Sequence, residues 1–440
     1  MARLRVLLLL LLGFFAVSPA HAFSTTPTEA AAIAAARQDR TAYVLPADKL
    51  ARAESLSHAE NILHFTGEAW GILSLFLILQ LGIAARMRNV ANNLWKNRWA
   101  QGFTFVFELL VLTTLLDLPL TMTGHHLAVA YGLSVQHWGG WFWDQAKGFL
   151  LTYVFGGLLV MLLFWLVRKF PRRWWLPIWV ASIAISVIGI FLTPYVIDPL
   201  FNRFAPLQQT NPTLVQLLEE VVARGQGIDI PPSRMFLMKA SDKVTTLNAY
   251  VTGFGASKRV VVWDTSIAKA TPDQIAFIFG HEMGHYVLGH IVQGLLIGFA
   301  LSLVALFIGF HLFQWMLRRY GKRWRIPAQD NWAALVVFLF VLSLLSVPAE
   351  PISNTISRHQ EHAADVYGEE AVHGIVADPQ ATAQQAFQLL GEGSYADPFP
   401  SPFIQFWTYS HPAIGFRAAF AKHYNPWAPG VAPKYFNKSK

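Results

Sequence analysis

The sequence predicts an all-α polytopic membrane protein carrying a small α+β domain outside the bilayer, and three observations carry that prediction. Hydrophobic residues make up 54% of the 440 and charged residues only 14%, with 33 Phe and 16 Trp, a balance typical of chains that face lipid. Apolar runs of about 20 residues, the length that spans a bilayer, recur along the chain with short basic clusters beside them. Two polar stretches, 198–287 and 350–440, interrupt that pattern and hold the groups capable of chemistry. The net charge of +8 is confined to the basic clusters, so it reads as membrane orientation and no nucleic-acid partner is expected. With no cysteine, disulfides and thiolate ligands are excluded, and any metal must be held by His, Asp or Glu.

Residues 1–22 read as a secretory signal peptide: Arg3 and Arg5, an apolar run from Val6 to Val17, then Ala20-His21-Ala22 as cleavage site. An uncleaved first anchor is the alternative, for which the run is short. Residues 23–60 are Ala-rich and polar, helical in part. The region 23–197 contains four predicted membrane helices at about 66–86, 102–122, 147–167 and 174–197, and the segment 288–349 two more at about 288–314 and 331–349. Six mature spans result. Arg86, Arg88, Lys96 and Arg98 follow the first; Arg168, Lys169, Arg172 and Arg173 the third; Arg318, Arg319, Lys322, Arg323 and Arg325 the fifth. All fall on one side, which the positive-inside rule makes cytoplasmic. The segments 198–287 and 350–440 then lie opposite, which in a bacterial inner membrane is the periplasmic side.

Within 198–287, residues 207–225 predict an amphipathic surface helix. Met235–Lys239 and Arg259–Trp263 predict short strands, with Gly253, Phe254 and Gly255 in the loop between. An edge strand here could pair with an extended peptide; a hairpin that only packs on a helix fits the same pattern. Then comes Thr271 to His290, TPDQIAFIFGHEMGHYVLGH. Thr271 is a helix cap, Pro272 occupies the first helical position, and Asp273 and Gln274 fill the first turn. His281-Glu282-Met283-Gly284-His285 is an H-E-x-x-H motif. Residues four apart share a helix face, about 6 Å apart, so both imidazoles can close on one ion. Glu282 lies beside them, where it can take a proton from a water. The helical pattern continues to Arg318, so the motif is expected to run on into a long apolar helix. If the span begins near Ile291, His285 sits roughly 9 Å outside the apolar core at 1.5 Å per residue. The plainer alternative is a membrane helix with a buried polar pair.

A catalytic zinc needs a third protein ligand. After the sixth predicted span, residues 354–365 read NTISRHQEHAAD. On a helix Glu361 and Asp365 share a face, with Arg358 one turn earlier. Glu361 can complete a two-His, one-carboxylate site, and Asp365 can fix the tautomer of a ligating imidazole. His359 and His362 compete as ligands, and spacing does not choose among them.

H-E-x-x-H followed by S-R-x-x-E-x-x-A-D, in a polytopic membrane chain, resembles the Ste24-type CAAX prenyl proteases of the M48 metallopeptidases. Pro199-Leu200-Phe201-Asn202-Arg203-Phe204-Ala205-Pro206-Leu207 is similar to the family's P-L-F-N-K-F-x-P-L. Asn248-Ala249-Tyr250, followed by the Val260–Thr265 stretch, resembles its substrate-edge segment. Ser410-His411-Pro412 with Arg417 resembles its C-terminal S-H-P…R element. The matches span about residues 195–420. The resemblance implies a zincin-like metalloprotease domain, one Zn2+ per chain bound by His281, His285 and Glu361, and Glu282 as base and later proton donor. It also implies His411 and Arg417 at the substrate carbonyl and its oxyanion, Asn248 and Ala249 on the substrate backbone, and membrane helices arranged around a chamber. Asp365, Arg358 and His290 would support the ligands.

The expectation is therefore a zinc metalloendopeptidase acting on a peptide or protein at the lipid bilayer. A signal-like segment stands where eukaryotic members have a true first span, and the site is expected outside the cytoplasm. Processing of exported or membrane proteins thus fits better than CAAX processing. One rival is a site-2-type intramembrane protease, against which the polar helix start at Thr271–Gln274 argues. A non-catalytic binding protein or transporter with a vestigial metal site is another, against which the intact Glu282 argues. No sequence feature fixes an oligomeric state.

Overall fold

The structure is a computed structural model that describes residues 24–225, 230–253 and 258–437. The predicted signal segment and the loop positions Phe254 and Gly255 lie outside the described residues. The chain forms two compact units. Among the described residues, one comprises those within 24–57, 190–300 and 351–437, the other 58–189 and 301–350.

Among the described residues, six helices are long and apolar enough to cross a membrane, as the sequence predicts. In chain order the helices that matter are α1 Pro27–Ala36, α2 Ala47–Gln80, α3 Arg98–Ala130, α4 Trp138–Lys169, α5 Trp175–Phe201, α6 Pro212–Arg224, α7 Pro272–Val287, α8 His290–Trp324, α9 Ala334–Val372, α10 Pro379–Ser394 and α11 Ile414–His423. The apolar windows of α5 and α8 bury none of their residues. Side chains such as Ile188 and Val180 are left exposed, a surface suited to lipid.

Two helix boundaries differ from expectation because a hydropathy window cannot see a polar continuation of the same helix. The first span was expected at 66–86. Helix α2 instead begins at Ala47 and ends at Gln80, and Gly82 at φ 67° starts a separate helix, Ile83–Leu94, that carries Arg86 and Arg88. The sixth span, expected at 331–349, is the first half of α9, which runs unbroken through the 354–365 motif.

The second unit packs around Phe105, Phe164, Trp174, Phe313 and Trp332. Its three basic connections meet. Arg88 Nη1 donates to the Arg325 carbonyl at 2.7 Å, Gln329 Nε2 to the Pro171 carbonyl at 2.9 Å, and Trp174 Nε1 to Gln329 Oε1 at 3.1 Å. The charge clusters assigned to one side thus share one end of this unit.

The first unit holds a four-stranded sheet: β1 Phe204–Pro206, β2 Met235–Met238, β3 Ala249–Thr252 and β4 Arg259–Trp263, in the order β1-β2-β4-β3. The two strands predicted from sequence are β2 and β4. They do not form a hairpin with each other but run parallel, Met235 opposite Val260. The antiparallel partner of β4 is β3, Ala249 opposite Val262, which therefore forms the open edge. The segment 207–225 is a short turn of helix and then α6, restarted by Asn211 as cap and Pro212. Leu214, Leu218 and Val221 bury its inner face against a core that includes Ile275, Phe277, Phe279, Phe387 and Phe420.

The polar N-terminal stretch joins this unit. Thr26 and Glu29 form a capping box that starts α1, and Glu29, 2% exposed, sits between His362 Nε2 at 3.1 Å and Lys434 Nζ at 2.9 Å. Glu370, fully buried, accepts the Tyr424 hydroxyl at 2.6 Å and the backbone N–H groups of Lys434, Tyr435 and Phe436 at 2.7, 2.7 and 3.2 Å.

Candidate metal centre

Helix α7 starts as predicted: the Thr271 hydroxyl accepts from Gln274 N–H and the Gln274 side chain returns the bond to Thr271 N–H, a reciprocal cap. Its end is not as predicted. The helix stops at Val287, and Gly289 at φ 70° separates it from α8. A glycine in the left-handed region just past the last turn is a common helix stop. The single straight axis behind the 9 Å estimate for His285 therefore does not exist.

The motif is buried where α7 crosses α9, and glycines permit the approach. A methyl group on Gly368 would come within 2.7 Å of the His281 nitrogen, and one on Gly284 within 3.0 Å of Tyr367 Cβ. Small residues on facing helices let backbones close to this distance. The sequence signal was present as Gly280 and Gly284, four apart, but was not read.

The crossing brings together three side chains that can act as ligands. His281 Nε2 and His285 Nε2 lie 3.2 Å apart, His281 Nε2 is 3.3 Å from Glu361 Oε2, and His285 Nε2 is 3.3 Å from Glu361 Oε1. Bonds of about 2.0–2.1 Å in a tetrahedron place ligand atoms about 3.3–3.4 Å apart, so each of these separations is close to the one a zinc-sized ion requires. Glu361 Oε2 is a buried oxygen that makes no hydrogen bond among the described residues, only ion-pair contacts. These three residues fit a metal ion; His359 and His362 are turned elsewhere, to the Thr355 carbonyl and to Glu29.

The surroundings hold the ligands. Asp365 Oδ1 lies 2.8 Å from His281 Nδ1, which puts that ring's N–H on Nδ1 and aims the Nε2 lone pair inward. Burial opposes a charge on His281, but Asp365 and Glu361 outweigh it and raise its pKa to about 9; the site is built with negative potential that suits a cation. Arg417 donates through Nε and Nη2 to both oxygens of Asp365 at 2.9 and 2.6 Å and comes within 3.7 Å of Glu361 Oε2. His290 Nδ1 is 3.0 Å from His285 Nδ1, a contact made across the helix break rather than along one helix face. His411 Nε2 approaches Glu361 Oε2 at 3.2 Å with its side chain 53% exposed. Arg358 does not reach the ligands: its guanidinium donates to the Gln405 and Tyr409 carbonyls at 2.9 and 2.6 Å, tying down the segment that leads into His411.

Glu282 lines a cavity of about 310 Å³ with His285, Tyr286, Glu361 and Val251. Burial lifts its carboxyl above the ordinary value, while His281 and His285 pull the other way. Val251 belongs to the open edge strand. Asn248 has its main chain committed, its N–H to Ser266 Oγ at 2.9 Å and its carbonyl to Ser266 Oγ at 2.8 Å and Trp263 N–H at 3.2 Å. Alternation along an antiparallel ladder then leaves Ala249 and Val251 main-chain groups facing away from β4, where the Val251 backbone bonds the Glu282 carboxylate, and Asn248 only its side chain.

Comparison with known proteins agrees with this picture. The family described as Peptidase family M48 matches residues 208–425, and the one described as CAAX prenyl protease N-terminal, five membrane helices, matches residues 34–203. The chain is 32% identical over 391 residues to the uncharacterized metalloprotease YhfN of Bacillus subtilis, covering 89% of both chains. It is 26% identical to CAAX prenyl protease 1 of Saccharomyces cerevisiae over 61% of both. Its fold is similar to that of the crystal structure of S. mikatae Ste24p, with a TM-score of 0.71 and 21% identity over 90% of this chain and 99% of that one.

Proposed function

Because the chain belongs to peptidase family M48 as a multi-pass membrane metalloprotease of the Ste24 type, we propose that it is a zinc-dependent endopeptidase whose ion is held by His281, His285 and Glu361. The convergence of those three side chains, with 3.2–3.3 Å between their nearest ligand atoms, carries the reading. A zinc ion there supplies Lewis-acid polarisation of the scissile carbonyl and makes a nearby water more acidic.

The chain's own residues do the rest. The open edge of β3 receives an extended peptide by main-chain hydrogen bonds at Ala249 and Val251, which directs the scissile bond toward the cavity that Glu282 lines. Glu282 takes a proton from the attacking water and returns it to the leaving amine nitrogen; its raised pKa brings the carboxyl closer to that task. His411, half-exposed beside Glu361, donates to the oxyanion. Arg417 was expected to share that role. Its burial and bidentate bond to Asp365 instead suit it to holding Asp365 and Glu361 in place.

The yeast relative is a CAAX prenyl protease. For this chain we favour peptides or misfolded exported and membrane proteins, since the basic connections argue for a site outside the cytoplasm, which in a bacterial inner membrane is the periplasmic side. The decisive experiment compares Glu282→Gln with wild type, purified with metal. The variant is expected to keep its zinc and lose on the order of 10³-fold or more in cleavage of an unfolded substrate. Cleavage at the wild-type rate sinks the mechanism. A membrane-impermeant label at a cysteine placed in 207–225 tests the orientation, and labelling only after lysis would return CAAX-type substrates to first place.

A further inference from the structure

A second cluster of metal-ligating groups lies in the other unit. His64 and Glu68 are four residues apart on α2 and so share a face, and Glu350 comes from α9. His64 Nε2 lies 3.3 Å from Glu350 Oε1 and 3.9 Å from Glu68 Oε2, and one donor atom from each residue falls within 4.8 Å of the others. From this geometry we propose that His64, Glu68 and Glu350 bind a second divalent transition-metal cation, of the zinc class.

Three observations support the assignment. Two carboxylates face each other here with no Lys or Arg in the cluster, among helices whose surroundings penalise charge unless it is paired. His64 Nε2 and Glu350 Oε2 are buried atoms with no hydrogen-bond partner among the described residues, so each has a lone pair available. Glu68 also lines an adjoining cavity of about 370 Å³, largely apolar, whose polar lining comes from Glu68, Ser74, Thr113, Asp117, Ser343 and Ser346; Ser74, 5% exposed, has a buried hydroxyl with no partner among the described residues. A cation held by one imidazole and two carboxylates satisfies the donors together, and the cavity has room for the waters that complete its coordination. One nitrogen and two carboxylates select zinc, manganese or iron over magnesium. Bound there, the ion ties α2 to the first half of α9, the helix whose second half carries Glu361.

The test counts metal on the full-length protein in detergent, stripped with chelator and dialysed against buffered Zn2+. Wild type is expected to hold two equivalents. His64→Ala and Glu350→Gln should each hold one while eluting as wild type on size exclusion. If either variant fails to fold, Glu68→Gln with Co2+ absorption provides the same reading, losing one of two spectral components. In a His281→Ala background the remaining equivalent should raise the melting temperature, and this gain should vanish when His64→Ala is added. A wild type with one equivalent that His64→Ala leaves in place overturns the proposal and makes the cluster a shared-proton pair. A wild type with one equivalent that is lost in His64→Ala but kept in His281→Ala supports it and overturns the zinc reading of the first site instead.

Discussion

The two His/Glu clusters follow the same recipe and differ in what surrounds it. Each takes two side chains four residues apart on one helix and a carboxylate from α9, Glu361 in one case and Glu350 in the other. Around the first, Asp365 fixes a ring tautomer, Arg417 holds Asp365, and His290 backs His285. His281 and Glu361 are each 7% exposed. Around the second, the side chains of His64, Glu68 and Glu350 are 33%, 27% and 24% exposed, and two of its atoms lack partners. Ligand identity is therefore the lesser part of a catalytic site. Groups that lock orientation and exclude water separate a centre able to direct a proton from one suited to clamping helices.

The strongest way to break this contrast is to remove the α9 carboxylate from each cluster. Glu361→Gln is expected to abolish cleavage by on the order of 10³-fold or more, as loss of a metal ligand does, while Glu350→Gln leaves turnover within a few-fold and removes only the second metal. Similar activity losses in both would erase the distinction. A subtler change makes the first cluster more like the second. Asp365→Asn should weaken metal binding about 10–100-fold, read by competition with a chelating dye, with kcat falling less once metal is saturating. The smallest effect concerns the helix crossing. Gly368→Ala places a methyl against the His281 backbone and should cost about 1–3 kcal/mol of stability, seen as a melting temperature lowered by a few degrees. The equivalent change at Gly71 on α2, where added bulk meets nothing within 4 Å, should leave the melting temperature nearly unchanged.

Much of this was legible in the sequence because it is local. The cap at Thr271, the four-residue spacing of His281 and His285 and the six apolar runs depend on neighbours in the chain, and periodicity reports them. What was not legible depends on distant partners or on one backbone angle. Nothing local says that β4 lies between β2 and β3, since a parallel pairing is set by what packs over the sheet. The stop at Gly289 looked like one more small residue in a helical run. The role of Glu29 needed His362 and Lys434, more than three hundred residues downstream. Arg358, read as a neighbour of Glu361 from helical spacing, donates instead to the carbonyls of Gln405 and Tyr409, about fifty residues downstream.

The buried Glu370 ties two distant stretches of chain into one unit. Its carboxylate is satisfied by amides at positions 434–436, and it stands on the same helix as the third proposed ligand, nine residues beyond it. Pulling those amides away strands an acid in apolar surroundings, so the 434–436 stretch is anchored to the helix that carries Glu361 and is expected to unfold with it.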